Sequence, residues 1–266
     1  MASDKTQQAY ARVNVTRAQD GAWIEFDGTR AMDKSFWTEL AEALQYAYTL
    51  GVSHLVLSGG ETTFSVGNSL AWLSHTTGNA IRRGERDEAL SATGLHMRRV
   101  SSLLNEAPIV TFALATGNIS GAGVELACVA DFRVCIEPVT LSLPEPLLGV
   151  VPDLAPRELL DAVLGTQTSR KLLFASQRLS IERDVPNTFG DYFCNDAEDA
   201  KSIIARHSRF FPRGRVVPAL RDPDRRAASV AEASRVNERI CDPDDFRANI
   251  KLFADRDHAR ASDSAS

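Results

Sequence analysis

The first half of the chain switches repeatedly between a two-residue and a three-to-four-residue apolar period. "RVNVT" (12–16) and "AWIEF" (22–26) alternate apolar and polar positions around "RAQDG", where Asp20-Gly21 signals a hairpin. Asp33 is placed to cap a helix on which Phe36, Leu40, Leu44, Ala47 and Tyr48 share one face, with Gly51 ending it. "HLVLS" (54–58) reads as a buried strand and "GGETTFSVGNS" as the loop after it. Leu90, Met97, Val100 and Leu104 then trace a second helix, which must stop before Pro108. "PIVTFAL" (108–114), "DFRVC" (131–135) and "VTLSL" (139–143) are read as three further strands. Strands alternating with helices make this half an α/β fold.

From Ala155 onward the periodicity is helical, in "PRELLDAVLG", "AASVAEASRVNERI" and "DDFRANIKLFADR", with Pro-containing loops at 212–224. The expected division is a core over residues 10–195 and a helical region over 196–257, with 1–9 and 258–266 disordered. A chain of 266 residues, 44% hydrophobic, can bury a core of that size. Its net charge of −5, with no basic run, argues against a nucleic-acid partner.

The longest apolar stretch, Ala107 to Leu114, is too short to span a bilayer, and "MASDKTQQAY" lacks the marks of a secretory leader. No membrane partner and a cytoplasmic location are therefore expected. Cys128, Cys135, Cys194 and Cys241 form no C-x-x-C pair, and the five histidines are equally scattered. Neither a disulfide framework nor a metal site is predicted, and the cysteines are read as small buried hydrophobes.

The chemistry concentrates in "TGNISGAGVELACVADFRV" (116–134). A buried strand enters a loop, and Gly121, Ala122 and Gly123 then open a helix, so unpaired N–H groups and the positive helix end face whatever lies before them. That arrangement suits an anion or an oxyanion, and small residues leave the backbone accessible. Glu125 follows in an apolar run. Taken alone, it could equally be a first-turn acid that favours the helix dipole. A dinucleotide fingerprint fits less well, because Leu126 occupies its third glycine position.

Two other stretches extend the pattern. "TFSVGNSL" (63–70) is a glycine-containing loop after a buried strand, and "LSLPEPLLGVVP" (141–152) offers a second acid, Glu145. In this order the three blocks, Phe64–Leu70, Gly117–Asp131 and Leu141–Pro152, resemble the crotonase, or enoyl-CoA hydratase/isomerase, superfamily. Its members read approximately F-x-x-G-x-D-L, then G-x-x-x-G-G-G-x-E-L-A-x-x-C-D, then F-x-x-P-E-x-x-L-G-x-x-P. The likeness runs from about residue 12 to about residue 175. It implies a ββα spiral core with a C-terminal helical region, commonly assembled as homotrimers or hexamers.

The resemblance also implies roles. The backbone N–H groups of Asn68 and Ala122 would hold the thioester oxygen of an acyl-CoA or an acyl-carrier-protein substrate, and Val66, Gly67, Ser69, Leu70 and Gly121 would line the site. Glu125 and Glu145 would be the acid/base pair of a hydration or dehydration. No cofactor is implied beyond the coenzyme A or phosphopantetheine of the substrate itself. An isomerase or decarboxylase using one glutamate, or a non-catalytic subunit of the same fold, is the alternative. The chain departs from the pattern at Ser69, at Ala122, in "PDLAPREL" and in "LSIERDVPNTFGDYF", where Pro186 interrupts an expected helix. These departures point toward a specialised biosynthetic member.

Overall fold

The computed structural model describes residues 7–18, 20–85, 89–183, 189–208, 210–211, 214 and 216–263. Three antiparallel strands open the chain: β1 (Gln7–Ala9), β2 (Val13–Ala18) and β3 (Gly21–Phe26), the last two forming the hairpin expected around Asp20-Gly21. Helix α1 (Lys34–Thr49) then crosses over to β4 (His54–Ser58), which lies parallel to β3. Asp33 caps α1 by accepting the Phe36 N–H at 3.0 Å, and Arg12 bonds the same carboxylate at 2.9 Å. The apolar stripe of α1, including Phe36, Trp37, Leu40 and Leu44, is wholly buried in the main core.

After the short β5 (Thr63–Ser65) come α2 (Leu70–Arg82) and α3 (Ala89–Asn105). Strand β6 (Val110–Ser120) is long enough to serve two neighbours, since Val110–Leu114 pairs with β4 and Gly117–Ile119 pairs with β5. Gly117 makes the switch possible. Its φ is +50°, and a Cβ there would lie 1.8 Å from the Thr62 carbonyl oxygen.

Helix α4 (Ala122–Val129) is buried along its whole length and leads into β7 (Phe132–Ser142), parallel to β6. "DFRVC" and "VTLSL", expected as two strands, are one. The pairing slips between Thr116↔Ile136 and Gly117↔Val139, and the two unpaired residues, Glu137 and Pro138, are exposed there.

A 3₁₀ turn (Glu145–Leu148) precedes α5 (Arg157–Leu164) and α6 (Thr166–Ala175), and β8 (Leu179–Ile181) and β9 (Tyr192–Cys194) both pair with β7. The remainder is helical: α7 (Ala197–Ser208), α8 (Val216–Arg221), α9 (Pro223–Ile240) and α10 (Pro243–Asp263).

Both faces of the sheet are covered. One carries the main core under α1, α3 and α4, and the other carries Val56, Phe112 and Val134 under α7. A third apolar cluster joins Leu73 of α2 and Leu148 of the 3₁₀ turn to Phe246 and Ile250 of α10. All four cysteines are buried and free.

Within the ends expected to be disordered, Gln7–Ala9 is paired to β2 and α10 continues to Asp263; residues 1–6 and 264–266 lie outside the described residues. The expected break at Pro186 also falls outside them. No described helix is long and apolar enough to cross a membrane.

The helical region is fastened to the sheet through Arg221 of α8. Its guanidinium meets Asp131 at 2.7 Å and donates to the carbonyls of Ala107 at 2.6 Å and Ile109 at 2.8 Å, while Asp131 also accepts the Thr111 N–H at 2.8 Å. Arg221→Ala would strand a mostly buried carboxylate and two carbonyls. We expect a loss of about 3–5 kcal/mol in urea unfolding, against less than about 1 kcal/mol for the exposed pair variant Lys201→Ala.

Candidate active site

Three chain segments converge on one cavity of about 630 Å³. The first is the loop from β5 into α2. Met32 takes both groups flanking Asn68: its N–H donates to the Gly67 carbonyl at 2.9 Å, and its carbonyl accepts the Ser69 N–H at 2.7 Å. In this parallel bridge the Asn68 N–H points the other way, and it donates to no protein acceptor among the described residues. Gly67 allows the turn with a φ of +88°, and a Cβ there would sit 2.9 Å from the Ser120 carbonyl oxygen, so the loop lies directly against the end of β6. The Asn68 side chain is held from behind, accepting from Trp37 Nε1 at 2.9 Å and donating to Met97 Sδ at 3.1 Å. Ser69 caps α2 by accepting the Trp72 N–H at 3.2 Å.

The second segment is the entry into α4. Gly121 has φ +54° and ψ −129°, and its N–H continues the sheet ladder to the Ser142 carbonyl at 2.9 Å. Its carbonyl accepts from Val124 and Glu125, while the Ala122 N–H, at the head of the helix, donates to no protein acceptor among the described residues. The Glu125 side chain leaves the first turn and its Oε2 accepts the N–H groups of Leu154 at 2.8 Å and Ala155 at 2.9 Å.

The third segment is the 3₁₀ turn with the loop that follows. Glu145 Oε2 is buried without a hydrogen-bond partner, and its Oε1 lies 2.9 Å from where a Cβ on Gly121 would stand. Glycine at 121 therefore serves the backbone conformation and also makes room for the second acid.

Electrostatics follow from this burial. Burial pushes the Glu145 carboxyl up to about 7 against its own backbone N–H, which pulls the other way, and the charge of Asp153 adds to the rise. Burial, then the charges of Glu145 and Asp153, raise Glu125 well above the usual carboxylate range, while the two N–H donors pull the other way. Both glutamates therefore hold a proton to higher pH than ordinary carboxylates do.

Of the residues singled out from sequence, Val66, Gly67, Asn68, Ser69, Leu70, Gly121, Glu125 and Glu145 all line the cavity. Ala122 does not; it stands directly behind Gly121 and is 1% exposed.

Several lining residues were not anticipated. Asp153 adds a third acid, Asn237 of α9 bonds Val151 through both its amide groups, and Phe246 and Phe253 of α10 close the apolar side. Only α10 carried a usable signal, since Phe246, Ile250 and Phe253 recur at helical spacing. Asp153 read simply as a departure from the glycine-rich turn expected after Pro152.

The family model for enoyl-CoA hydratase/isomerase matches residues 25–183, more than half the chain. A carnitinyl-CoA dehydratase from Salmonella enteritidis is 30% identical over 128 residues, which is 48% of this chain and 45% of that protein. The match thus spans about half the length of that curated relative. An enoyl-CoA hydratase from Bacillus halodurans superposes with a TM-score of 0.76 at 15% identity, covering 91% of this chain and 100% of the other. A methylmalonyl-CoA decarboxylase, in complex with 2-nitronate-propionyl-CoA, gives 0.74 at 18% identity, covering 93% and 97%. The mixed α/β architecture is the crotonase fold. With its three sequence blocks inside the matched region, this chain belongs to the enoyl-CoA hydratase/isomerase family.

Proposed function

We propose that the protein adds water across the α,β double bond of an acyl thioester, or removes it, with Glu125 and Glu145 as the acid/base pair. The observation that carries this reading is the joint presence of two buried carboxylates and the unpaired Asn68 N–H around one cavity. Attack at the β-carbon drives negative charge onto the thioester oxygen. Fixed N–H donors of Asn68 and Ala122 would stabilise that charge in a site shielded from water, an effect worth a few kcal/mol per donor.

The donors also divide the labour between the acids. Glu125 accepts two N–H bonds, which favour its anion, whereas Glu145 has a partnerless oxygen better suited to a carboxylic acid. In hydration, Glu125 takes a proton from water as the oxygen bonds to the β-carbon, giving an enolate. Glu145 then delivers its proton to the α-carbon, so the pair ends with its single proton moved from one acid to the other. Dehydration runs the same steps in reverse.

The thioester would be carried by coenzyme A or by the phosphopantetheine of a carrier protein. The assembly would be a homotrimer or hexamer, which could cover the exposed Val216 and Leu220, one turn apart on α8.

A panel of enoyl thioesters on both carriers tests the reaction. Loss of the conjugated absorbance, with oxygen from heavy-oxygen water appearing in the product, is the expected result. A double-bond shift without water incorporation would make the protein an isomerase instead. Glu125→Gln and Glu145→Gln should each lower kcat/KM by about 10²–10⁴-fold. Unchanged turnover in both would end the two-acid mechanism.

The same Glu145→Gln variant should be more stable than the parent. The folded carboxyl titrates near 7 instead of its ordinary 4.5, so between those values the unfolded chain releases its proton first and stability falls as pH rises. Removing the group should return on the order of 1–3 kcal/mol above pH 7 and nothing near pH 4, read as the difference in urea midpoints at the two pH values.

A further inference from the structure

Among the described residues, Asp153 is the one acid lining the cavity with a cation in ion-pair range. Arg98 of α3 approaches it, Nη1 to Oδ2, at 3.5 Å, and the same guanidinium donates to Ser234 of α9 at 3.1 Å. The helix has been shaped around this pair. A Cβ at Gly94, one turn before Arg98, would lie 2.3 Å from Arg98 Nη1 and 2.7 Å from Asp153 Oδ2.

Burying an ion pair for stability alone is a poor bargain, because an apolar pair of similar volume is often as stable. This pair has two direct links to the glutamates. Asp153 immediately precedes Leu154 and Ala155, whose N–H groups grip Glu125. Its carboxylate also lines the same cavity as both glutamates.

We infer that Asp153, anchored by Arg98, is a positioning residue for the acid pair: it sets the turn that holds Glu125 and brings a third carboxyl against the Glu125–Glu145 couple, so that the three acids do not all ionise together. Among the described residues that line the cavity, Arg178 at the rim is exposed, α9 contributes the uncharged Asn237, and α10 contributes Phe246 and Phe253. Burial raises the Asp153 carboxyl and Arg98 beside it pulls the other way, so the arginine governs how much charge Asp153 shows the glutamates. The proposal deepens the two-glutamate reading and rests on it for its catalytic meaning, but the charge coupling exists without any substrate.

The test is therefore made on the free protein. Carboxyl-labelled glutamate and aspartate are titrated by NMR in the parent, Asp153→Asn, Arg98→Gln and Arg98→Lys, with near-ultraviolet circular dichroism as a check on folding. The midpoint of the glutamate couple should fall by about one pH unit in Asp153→Asn; in Arg98→Gln the Asp153 midpoint should rise and the glutamate midpoint should fall with the lost charge, and both should return close to the parent in Arg98→Lys.

If Asp153→Asn does not fold, the two arginine variants carry the test alone. A midpoint that stays put in every folded variant overturns the proposal, whatever happens to stability. Because no turnover is read, a shifted midpoint in a protein inactive on every thioester would sink the hydration reading while leaving this one standing.

Discussion

A carboxylate taken out of water must find hydrogen bonds, find a cation, or keep its proton. That constraint falls on α4, a helix buried on every side that nevertheless carries Glu125 in its first turn. The chain meets it with the N–H groups of Leu154 and Ala155, brought from 29 and 30 residues away. Among the described residues no donor reaches Glu145 Oε2, and burial raises that carboxyl toward its protonated form. The unlike roles proposed for these two chemically identical side chains rest on this imbalance.

Gly121 is where the backbone and the chemistry meet. One residue ends the β6 ladder through its N–H, starts α4 through its carbonyl, and by lacking a Cβ lets Glu145 stand against it. A larger residue would have to displace the carboxylate or distort a backbone at positive φ. The position is fixed by three requirements at once, which explains why a short run of small residues was so visible in the sequence.

Legibility elsewhere followed the same logic. Elements whose buried faces are built from large apolar residues, such as α1, β4 and α3, could be read from their period. Helix α2 could not, because its buried face includes Thr77, Gly78 and Ala80, which leave no apolar stripe. The break expected inside β7 came from the polar Glu137-Pro138 step, which the sheet absorbs as a slip in register.

The two glutamates and Asn68 were recoverable because family-like blocks surround them. Asp153, Arg98, Asn237 and the support of Asn68 by Trp37 and Met97 were not, since each depends on a contact between distant segments. The helical region in particular looked unrelated to the site, yet α9 and α10 supply part of its wall.

The central claim is that the donors and acids converge on an enolate. The most direct measurement is exchange of the α-hydrogen of a saturated acyl thioester in heavy water, which requires an enolate but no addition of water. The account predicts exchange by the parent protein and its loss in Glu145→Gln. Exchange that is absent from the parent with every carrier and acyl group, or that survives unchanged without Glu145, would contradict it.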